Sequence, residues 1–368
     1  MTSQKPEYFE KRRSRLIHRL KAQGLDSVLV TNFINVTYLT GFSGDDSYLL
    51  ISGNDATLLS DGRYELQIAE ECPGLDAYIR PTGQSLVQAV ARYVQKYRIK
   101  RLAVEAASMS LVTKEQLSAA AKNLEIVPTT GLVEGFRMVK DAGEISRIRR
   151  AVDYAERAFT ILRAGLQNTQ TETQLVNELE YHMRRLGAKS AAFPTIVAAG
   201  PRAALPHAVP TQSAVGNSPV LLVDWGANEG LYCCDLTRVL VRARIPPKLR
   251  TAYEVVLEAQ SRAISVIRPG VAVSEVDRAA RKVIEDARLG RYFNHGLGHG
   301  FGLEIHEGPR LSASNGFKLR PGMVVTVEPG VYFPGVGGVR IEDDVLVTRD
   351  GAEVLTRIPK QFDEMLID

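Results

Sequence analysis

The sequence predicts an α/β protein of two domains, and three observations support this prediction. The chain has 368 residues, which is more than a single hydrophobic core usually organises. Short apolar runs alternate with helical patterns up to about Phe136, as in a small α/β domain. A different pattern, which opens with a long helix, begins at about Gly143. We therefore expect one domain over residues 1–136 and a second over residues 137–368.

The first domain is predicted to open with an amphipathic helix that ends near Gly24. Phe9, Leu16, Ile17 and Leu20 share one stripe of this helix. The next segment, SVLVTNFINVTYLTG, has the β-branched and aromatic content of a strand. The apolar runs YLLISG, ATLLSDG and RLAVEA predict further strands, and SLVQAVARYVQKY predicts a helix.

The second domain is predicted to begin with a long helix that ends at Gly165, because apolar residues recur at helical spacing in EISRIRRAVDYAERAFTILRAG. A second helix should follow Thr171, which forms a capping-box signature with Gln174. Two more helices are predicted, one through LRTAYEVVLEAQSRAISVI and one from near Ser274. Four runs bounded by turn residues predict strands: SPVLLVDWG, YCCDLTRVLVRARI, GMVVTVEPG and GVRIEDDVLVT.

The composition argues against several classes of partner. The chain is 45% apolar and 24% charged, and 46 basic and 42 acidic residues are interspersed to give a net charge of +4. It contains no basic block of the kind that binds nucleic acid. No run approaches the roughly 18 apolar residues of a membrane helix, and the opening residues are too charged for a secretory signal. We therefore expect a cytoplasmic protein that binds neither nucleic acid nor membranes.

The three cysteines, Cys72, Cys233 and Cys234, are too few for a disulfide framework, which fits a reducing compartment. The CxxC spacing typical of thiolate metal sites is absent, so we expect Cys233 and Cys234 to be buried strand residues. We expect Trp225 to fill the core as well, because large aromatic side chains more often pack than recognise a ligand.

The segment VLLVDWGANEGLYCCDLTR carries the first candidate site residues. An apolar strand stops at Asp224, a turn passes through Asn228 and Gly230, and a second strand is predicted to hold Asp235 in its interior. A carboxylate buried in an apolar strand is costly unless it is paired with a cation, and two converging carboxylates favour a metal ion over a lysine. Two aspartates flanking a solvated turn are the alternative at this point.

The segment FNHGLGHGFGLEIHEGP contains three of the six histidines: His295, His299 and His306. Glycines between them let the backbone approach a site closely. Imidazoles supply nitrogen ligands and proton donors. The alternative is a glycine-rich loop in which the histidines are incidental.

Two glutamates complete the set of candidate ligands. Glu328 ends an apolar strand in MVVTVEPG, and Glu342 is predicted to lie within the strand GVRIEDDVLV, with Arg340 on the same face. Four carboxylates and one imidazole balance two divalent cations and suit manganese, cobalt, iron or zinc. The resulting candidate metal ligands are Asp224, Asp235, His299, Glu328 and Glu342.

The ordered series LLVDWGA, CDLTR, HGLGHGFGLEIHE, TVEPG and GVRIEDD resembles the metallopeptidase family that contains prolidase, Xaa-Pro aminopeptidase and methionine aminopeptidase. The resemblance covers nearly the whole chain and implies a pita-bread catalytic domain, which is α+β and pseudo-symmetric. The segments YLTGFSGDDSYLL and LLSDGRYELQ resemble the small α/β creatinase-like N-terminal domain of the proline-directed branch. Methionine aminopeptidases generally lack that domain, which argues against that alternative.

The resemblance implies a role for each candidate ligand. Asp224 would be a terminal ligand of one metal ion, and Asp235 and Glu342 would bridge the two ions. His299 and Glu328 would complete the coordination of the other ion, and Glu328 would also shuttle protons. The cofactors would be two divalent metal ions, manganese first, with cobalt, zinc or iron as alternatives.

The resemblance also implies which residues meet the substrate. His207, in PHAVP, and His306 would contact the peptide and stabilise the tetrahedral intermediate, and His295 would line the pocket. Arg340 and Thr237 would orient the bridging carboxylates.

The implied function is an aminopeptidase that releases the N-terminal residue from peptides with proline second, by means of a metal-bridging hydroxide. A homodimer is implied as well. The first alternative is an Xaa-Pro dipeptidase (prolidase), which needs a positive group for the substrate carboxylate, such as Arg340 or Arg63. A metal-free creatinase-type hydrolase or a non-enzymatic binding module would have lost ligands, and none is missing here.

Overall fold

A computed structural model describes residues 6–216 and 218–367 of the chain. The chain divides into two compact units, Met1–Arg137 and Met138–Asp368. Among the described helices, none combines the length and the apolar character that a membrane span requires. The prediction about a secretory signal rests partly on residues 1–5, which lie outside the described residues.

The first unit is built on one mixed six-stranded sheet, in the order β4-β3-β2-β1-β5-β6. The strands β1–β2 and β2–β3 pair antiparallel, whereas the remaining pairs are parallel. Its strands are β1 (Ser27–Val30), β2 (Tyr48–Ser52), β3 (Asp55–Asp61), β4 (Asp76–Arg80), β5 (Arg101–Glu105) and β6 (Glu125–Thr129). Its helices are α1 (Pro6–Lys21), α2 (Phe33–Thr40), α3 (Glu65–Glu71), α4 (Leu86–Lys96), α5 (Leu111–Ala120) and α6 (Glu134–Arg137).

Helix α2 corrects the prediction of a continuous strand through SVLVTNFINVTYLTG. Asn32 begins the helix by accepting a hydrogen bond from the Ile34 nitrogen at 2.9 Å. Gly41 ends it in the left-handed region, at φ 84°. The prediction was wrong because the helix is buried from Asn35 to Thr40, and a buried short helix shows no amphipathic period to distinguish it from a strand.

The second unit repeats one order of elements, a pair of long helices followed by strands. The four predicted helices are confirmed as α7 (Ala142–Ala164), α8 (Glu172–Leu186), α9 (Pro247–Val266) and α10 (Val273–Asp286). The capping box is also confirmed, because Thr171 accepts a hydrogen bond from the Gln174 nitrogen at 3.2 Å and the Gln174 side chain accepts one in return at 2.9 Å.

The strands of the second unit form several small antiparallel sheets. Two of them have the orders β12-β9-β8 and β14-β13-β15-β18-β19. The strands after α8 are β7 (Ser190–Ala191), β8 (Ile196–Ala199), β9 (Val220–Trp225), β10 (Ala227–Glu229), β11 (Tyr232–Cys233) and β12 (Leu236–Val241). Those after α10 are β13 (Gly298–Gly300), β14 (Glu307–Leu311), β15 (Val324–Val327), β16 (Gly330–Phe333), β17 (Gly337–Arg340), β18 (Asp343–Val347) and β19 (Ala352–Val354).

Core packing fixes the strand that carries the first candidate ligand. Strands β9 and β12 are buried along their whole length. Trp225, at the end of β9, stacks on Phe159 with ring centroids 4.4 Å apart and donates a hydrogen bond from Nε1 to the Ala155 carbonyl at 3.0 Å. Cys233 and Cys234 are both buried, as predicted, but only Cys233 lies in a strand, because β11 ends at that residue.

Candidate metal centre and active site

Three carboxylates converge where β9 and β12 meet the chain after β17. Asp224 lies in β9 directly opposite Thr237 of β12, and Glu342 forms a β-bridge with the same threonine. Asp235 lies in the short break between β11 and β12, not in a strand interior as predicted. The backbones of Gly226 and Cys234 approach closely beside this break, since a Cβ on Gly226 would lie only 1.9 Å from the Cys234 carbonyl oxygen. Glu342 likewise lies just before β18, not within it.

The second part of the centre comes from the sheet that contains β13 and β15. His299 lies in the middle of β13, and Glu328 directly follows β15. The His299 Nε2 atom is 3.6 Å from Asp235 Oδ2 and 3.5 Å from Glu328 Oε1. One ligand atom from each of Asp235, His299 and Glu342 lies within 4.8 Å of the others. The structure thus brings these predicted ligands together.

Burial and mutual repulsion make this cluster unfavourable without a cation. Burial, and then the charges of neighbouring carboxylates, raise the pKa values of Asp235 and Glu342 well above their usual range. Burial also raises the pKa of Glu328 to about 8, and lowers the pKa of His299 to about 4, which leaves a neutral imidazole at pH 7. The Oδ1 atom of Asp224 is buried and has no hydrogen-bond partner among the residues that the structure describes. Buried carboxylates, an unsatisfied oxygen and a neutral imidazole fit divalent metal ions.

These pKa shifts predict how the stability of the metal-free protein depends on pH. The pKa of Glu328 is about 8 in the folded chain, against about 4.3 for an unperturbed glutamate. The folded state therefore binds the extra proton more tightly, and the stability that this proton confers is lost as pH rises through that interval. We expect the unfolding temperature of the metal-free protein, measured in chelator, to fall as the pH rises from about 5 to about 8. Thermal unfolding with and without added metal measures it; an equal slope in both states would contradict this assignment.

Thr237 and Arg340 hold the carboxylates in place. The Thr237 hydroxyl donates to Glu342 Oε2 at 2.6 Å. Arg340 donates to Thr237 Oγ1 at 3.1 Å, to Asp224 Oδ2 at 2.5 Å and to the Tyr332 hydroxyl at 2.8 Å. Arg340 thus acts on Glu342 through Thr237, and its direct carboxylate partner is Asp224. The predicted role of Arg340 and Thr237 in orienting the bridging carboxylates Asp235 and Glu342 stays a prediction.

The candidate ligands line a cavity of about 890 Å³: Asp224, Asp235, His299, Glu328 and Glu342. Three further histidines border it: His207, His295 and His306. His207 and His306 are exposed on loops at its wall. The His306 ring lies against the His299 ring, with centroids 4.5 Å apart. His295 Nε2 is within hydrogen-bond distance of the Tyr332 hydroxyl, at 3.0 Å.

Two family models match the chain. A model of metallopeptidase family M24 matches residues 146–349, and a model of the creatinase/prolidase N-terminal domain matches residues 12–139. The chain belongs to the M24 metallopeptidases. The predicted family, the predicted two-domain fold and the predicted enzyme class are therefore confirmed.

Solved structures and curated M24 relatives resemble the chain over nearly its whole length. An Xaa-Pro dipeptidase from Bacillus anthracis is 36% identical with a TM-score of 0.93, covering 98% of this chain and 100% of its own. An X-Pro aminopeptidase from Thermotoga maritima is also 36% identical, with a TM-score of 0.86, covering 93% and 99%. An Xaa-Pro dipeptidase of Pyrococcus horikoshii is 34% identical over 95% of this chain and 97% of its own.

Sequence reasoning missed two residues of this M24 site. Tyr332 is buried, lines the cavity and links His295 to Arg340 through its hydroxyl. A tyrosine in the apolar run GVYF, four residues after Glu328, was a signal that could have pointed to it.

The second missed residue is Arg310. It lies on β14 opposite His299 and lines the cavity. Within residues 6–216 and 218–367 its guanidinium has neither an ion-pair partner nor a hydrogen-bond partner. The two arginines predicted for the substrate carboxylate are Arg340, whose three guanidinium nitrogens each donate a hydrogen bond, and Arg63, which pairs with Asp61 in the first unit.

Proposed function

We propose that the chain is a metal-dependent Xaa-Pro dipeptidase. The observation that carries this proposal is the guanidinium of Arg310, which has no partner among the described residues and lies on the wall of the cavity that also holds the carboxylate and histidine cluster. A dipeptide presents a free carboxylate close to its only peptide bond, and arginine is well suited to bind a carboxylate through two hydrogen bonds. The dipeptidases of Bacillus anthracis and Pyrococcus horikoshii support this order of preference, which reverses the order given by the sequence.

The chemistry would depend on divalent metal ions held by the five candidate ligands. When bound, the ions would supply Lewis-acid activation of water and of the scissile carbonyl. Manganese is the first expectation, and cobalt, zinc and iron suit the same oxygen-rich set. The ligands would be Asp224, Asp235, His299, Glu328 and Glu342.

The side chains around the cluster would handle protons and orient the peptide. The Glu328 carboxylate would take a proton from the attacking water and return it to the proline nitrogen as that nitrogen leaves. His207 and His306 would donate hydrogen bonds to the carbonyl oxygen as negative charge develops on it. Tyr332 would fix the His295 ring through its hydrogen bond, and Arg340 would fix the Asp224 carboxylate.

The test of this proposal compares three peptides: an Xaa-Pro dipeptide, its C-terminal amide and an Xaa-Pro-Xaa tripeptide. We expect metal-stripped protein that is resupplied with manganese to cleave the dipeptide, and to cleave the amide poorly. Equal cleavage of dipeptide and amide would refute a carboxylate-binding dipeptidase.

Arg310→Met should weaken dipeptide binding while sparing the amide. Loss of a charge-assisted pair costs about 1.5–3 kcal/mol, so we expect KM for the dipeptide to rise roughly 10-fold to 100-fold. Steady-state kinetics on both peptides measures this, and Arg310→Lys, which keeps the charge, is the matched control. An equal loss on dipeptide and amide would show that Arg310 does not bind the carboxylate.

An Xaa-Pro aminopeptidase is the second candidate. The Thermotoga maritima aminopeptidase and the Bacillus anthracis dipeptidase are each 36% identical to this chain, so sequence identity favours the two activities equally. Release of the first residue from the tripeptide at a rate at least equal to dipeptide cleavage would establish this candidate.

A homodimer is part of the proposal and rests on the resemblance to the family. We expect gel filtration or light scattering to give about twice the chain mass of 40.4 kDa. A mass near that of a single chain would remove the dimer from the account.

A further inference from the structure

Lys140 and Glu307 form an ion pair that is almost completely buried within the second unit. The Lys140 ammonium lies 3.2 Å from Glu307 Oε2, and the two side chains are 1% and 4% exposed. The described residues that line the active-site cavity include neither of them. Burying two charges costs free energy even when they are paired, which distinguishes this ion pair from the exposed pairs at the surface.

The Glu307 carboxylate organises the loop between β13 and β14. Its Oε1 atom accepts a hydrogen bond from the Glu304 nitrogen at 3.1 Å, while its Oε2 atom faces Lys140. Gly302 packs against the pair so closely that a Cβ there would lie 2.9 Å from Lys140 Cε. The Gly302 nitrogen in turn donates to the Glu304 carbonyl at 2.9 Å. The loop is therefore folded around the ion pair.

This loop carries His306, the residue directly before Glu307. Its ring meets the His299 ring edge to face, at an interplanar angle of 70°. In the part of the chain that the structure describes, no hydrogen bond holds the His306 ring. The place of the imidazole is thus set by the backbone of the loop and by the contact with His299.

The other end of the ion pair is anchored in the protein core. The backbone nitrogen of Lys140 donates to the Gly322 carbonyl at 2.8 Å, in the turn before β15. Strand β15 leads directly to Glu328. Lys140 therefore ties the His306 loop to the same part of the fold that carries a candidate metal ligand.

We propose that Lys140 is a positioning residue, which acts through its buried ion pair with Glu307 to hold the His306 imidazole against His299 at the cavity wall. The importance of this placement for catalysis rests on the proposed function, in which His306 donates a hydrogen bond to the reacting carbonyl. The placement itself does not depend on the proposed function.

The placement is tested by proton NMR of the metal-free protein with labelled histidines, His306 being assigned with a His306→Gln variant. Lys140→Met removes the charge and keeps most of the aliphatic stem. We expect it to abolish the cross-ring contact signal between His306 and His299. Arg149→Met is the control, because Arg149 pairs with Glu353 at 2.7 Å on the surface of the same unit and should leave the signal intact. A retained signal in Lys140→Met would overturn the proposal.

Glu307→Gln is the second variant, in case Lys140→Met does not fold. Glutamine keeps the acceptor for the Glu304 nitrogen and the size of the side chain, but it removes the negative charge. We expect the same loss of the contact signal in a protein that still unfolds cooperatively. An unchanged signal in this variant also counts against the proposal.

The kinetic consequence is tested by a double-mutant cycle on a peptide that the wild type cleaves. We expect Lys140→Met to lower kcat/KM by about 100-fold, as a displacement of about 1 Å does to a catalytic group. Combined with His306→Ala, it should cause no further loss, because both changes remove the same interaction. Losses that multiply would show that Lys140 acts independently of His306. If the wild type cleaves no proline peptide, the proposed function fails, and the NMR result alone decides the placement.

Discussion

Asp235→Asn is expected to abolish peptide hydrolysis and, at the same time, to stabilise the metal-free protein. Burial raises the pKa of Asp235 well above its usual range, and the charges of Glu342, Asp224 and Glu328 raise it further. Asparagine removes that repulsion, and we expect it to weaken metal binding because Asp235 is a proposed ligand. We expect activity to fall more than about 100-fold, the upper range for groups that merely support a ligand. The metal-free variant should gain about 1–3 kcal/mol, the cost of an uncompensated buried polar group.

Thermal unfolding in chelator and in manganese measures both effects in one experiment. With metal bound the order should reverse, because ions that bind only the folded state stabilise it, and the wild type binds them more tightly. Asp343→Asn is the matched control. That neighbouring carboxylate is also buried, but it pairs with Arg238 at 2.7 Å, so its loss should destabilise the protein with and without metal. An Asp235→Asn variant that is less stable than the wild type in chelator would contradict the account.

Arg340→Met is expected to lower both the free energy of unfolding and the activity, an effect second only to that of Asp235→Asn. Arg340 is 3% exposed and serves Asp224, Thr237 and Tyr332 at once. Its removal leaves Asp224 without its cation, and breaking a buried ion pair in this way costs about 3–5 kcal/mol. Activity should fall as well, because Thr237 then loses the donor that fixes its hydroxyl toward Glu342. Chemical denaturation of the metal-free variant and steady-state kinetics of the metal-loaded variant measure the two losses.

Arg340→Lys is the control that separates charge from geometry. A lysine restores the positive charge but cannot reach three acceptors in a planar fork. We expect it to recover part of the stability and little of the activity. Full recovery of both would mean that charge alone matters and that the hydrogen bonds to Thr237 and Tyr332 are dispensable.

The candidate ligands were accessible to sequence reasoning because each stands out within its own segment. Asp224 and Glu328 end apolar strands, His299 lies among glycines, and such local contrasts between a polar residue and its surroundings survive without a structure. The four long helices of the second unit were predictable for the same reason, since their apolar spacing and caps are local. The roles of Asp224, His299 and Glu328 as metal ligands remain a proposal.

The rest of the site depends on contacts between distant segments. Arg340 meets Asp224 across 116 positions and Thr237 across 103, so its true partners could not be read from the strand that carries it. Arg310 is of interest because its guanidinium lacks a partner in the described part of the chain, and that is visible only when its neighbours are known. Asp235 lies between β11 and β12, beside a close approach of Gly226 to Cys234 that the sequence does not reveal.

The most direct test of the central claim is the number of divalent ions that each chain binds. Metal-stripped protein would be titrated with manganese by calorimetry, and the bound metal counted by elemental analysis after desalting. We predict two ions per chain in the wild type, with weaker binding in Asp235→Asn. A folded wild-type protein that binds no ion would contradict the claim that this buried cluster is a metal centre.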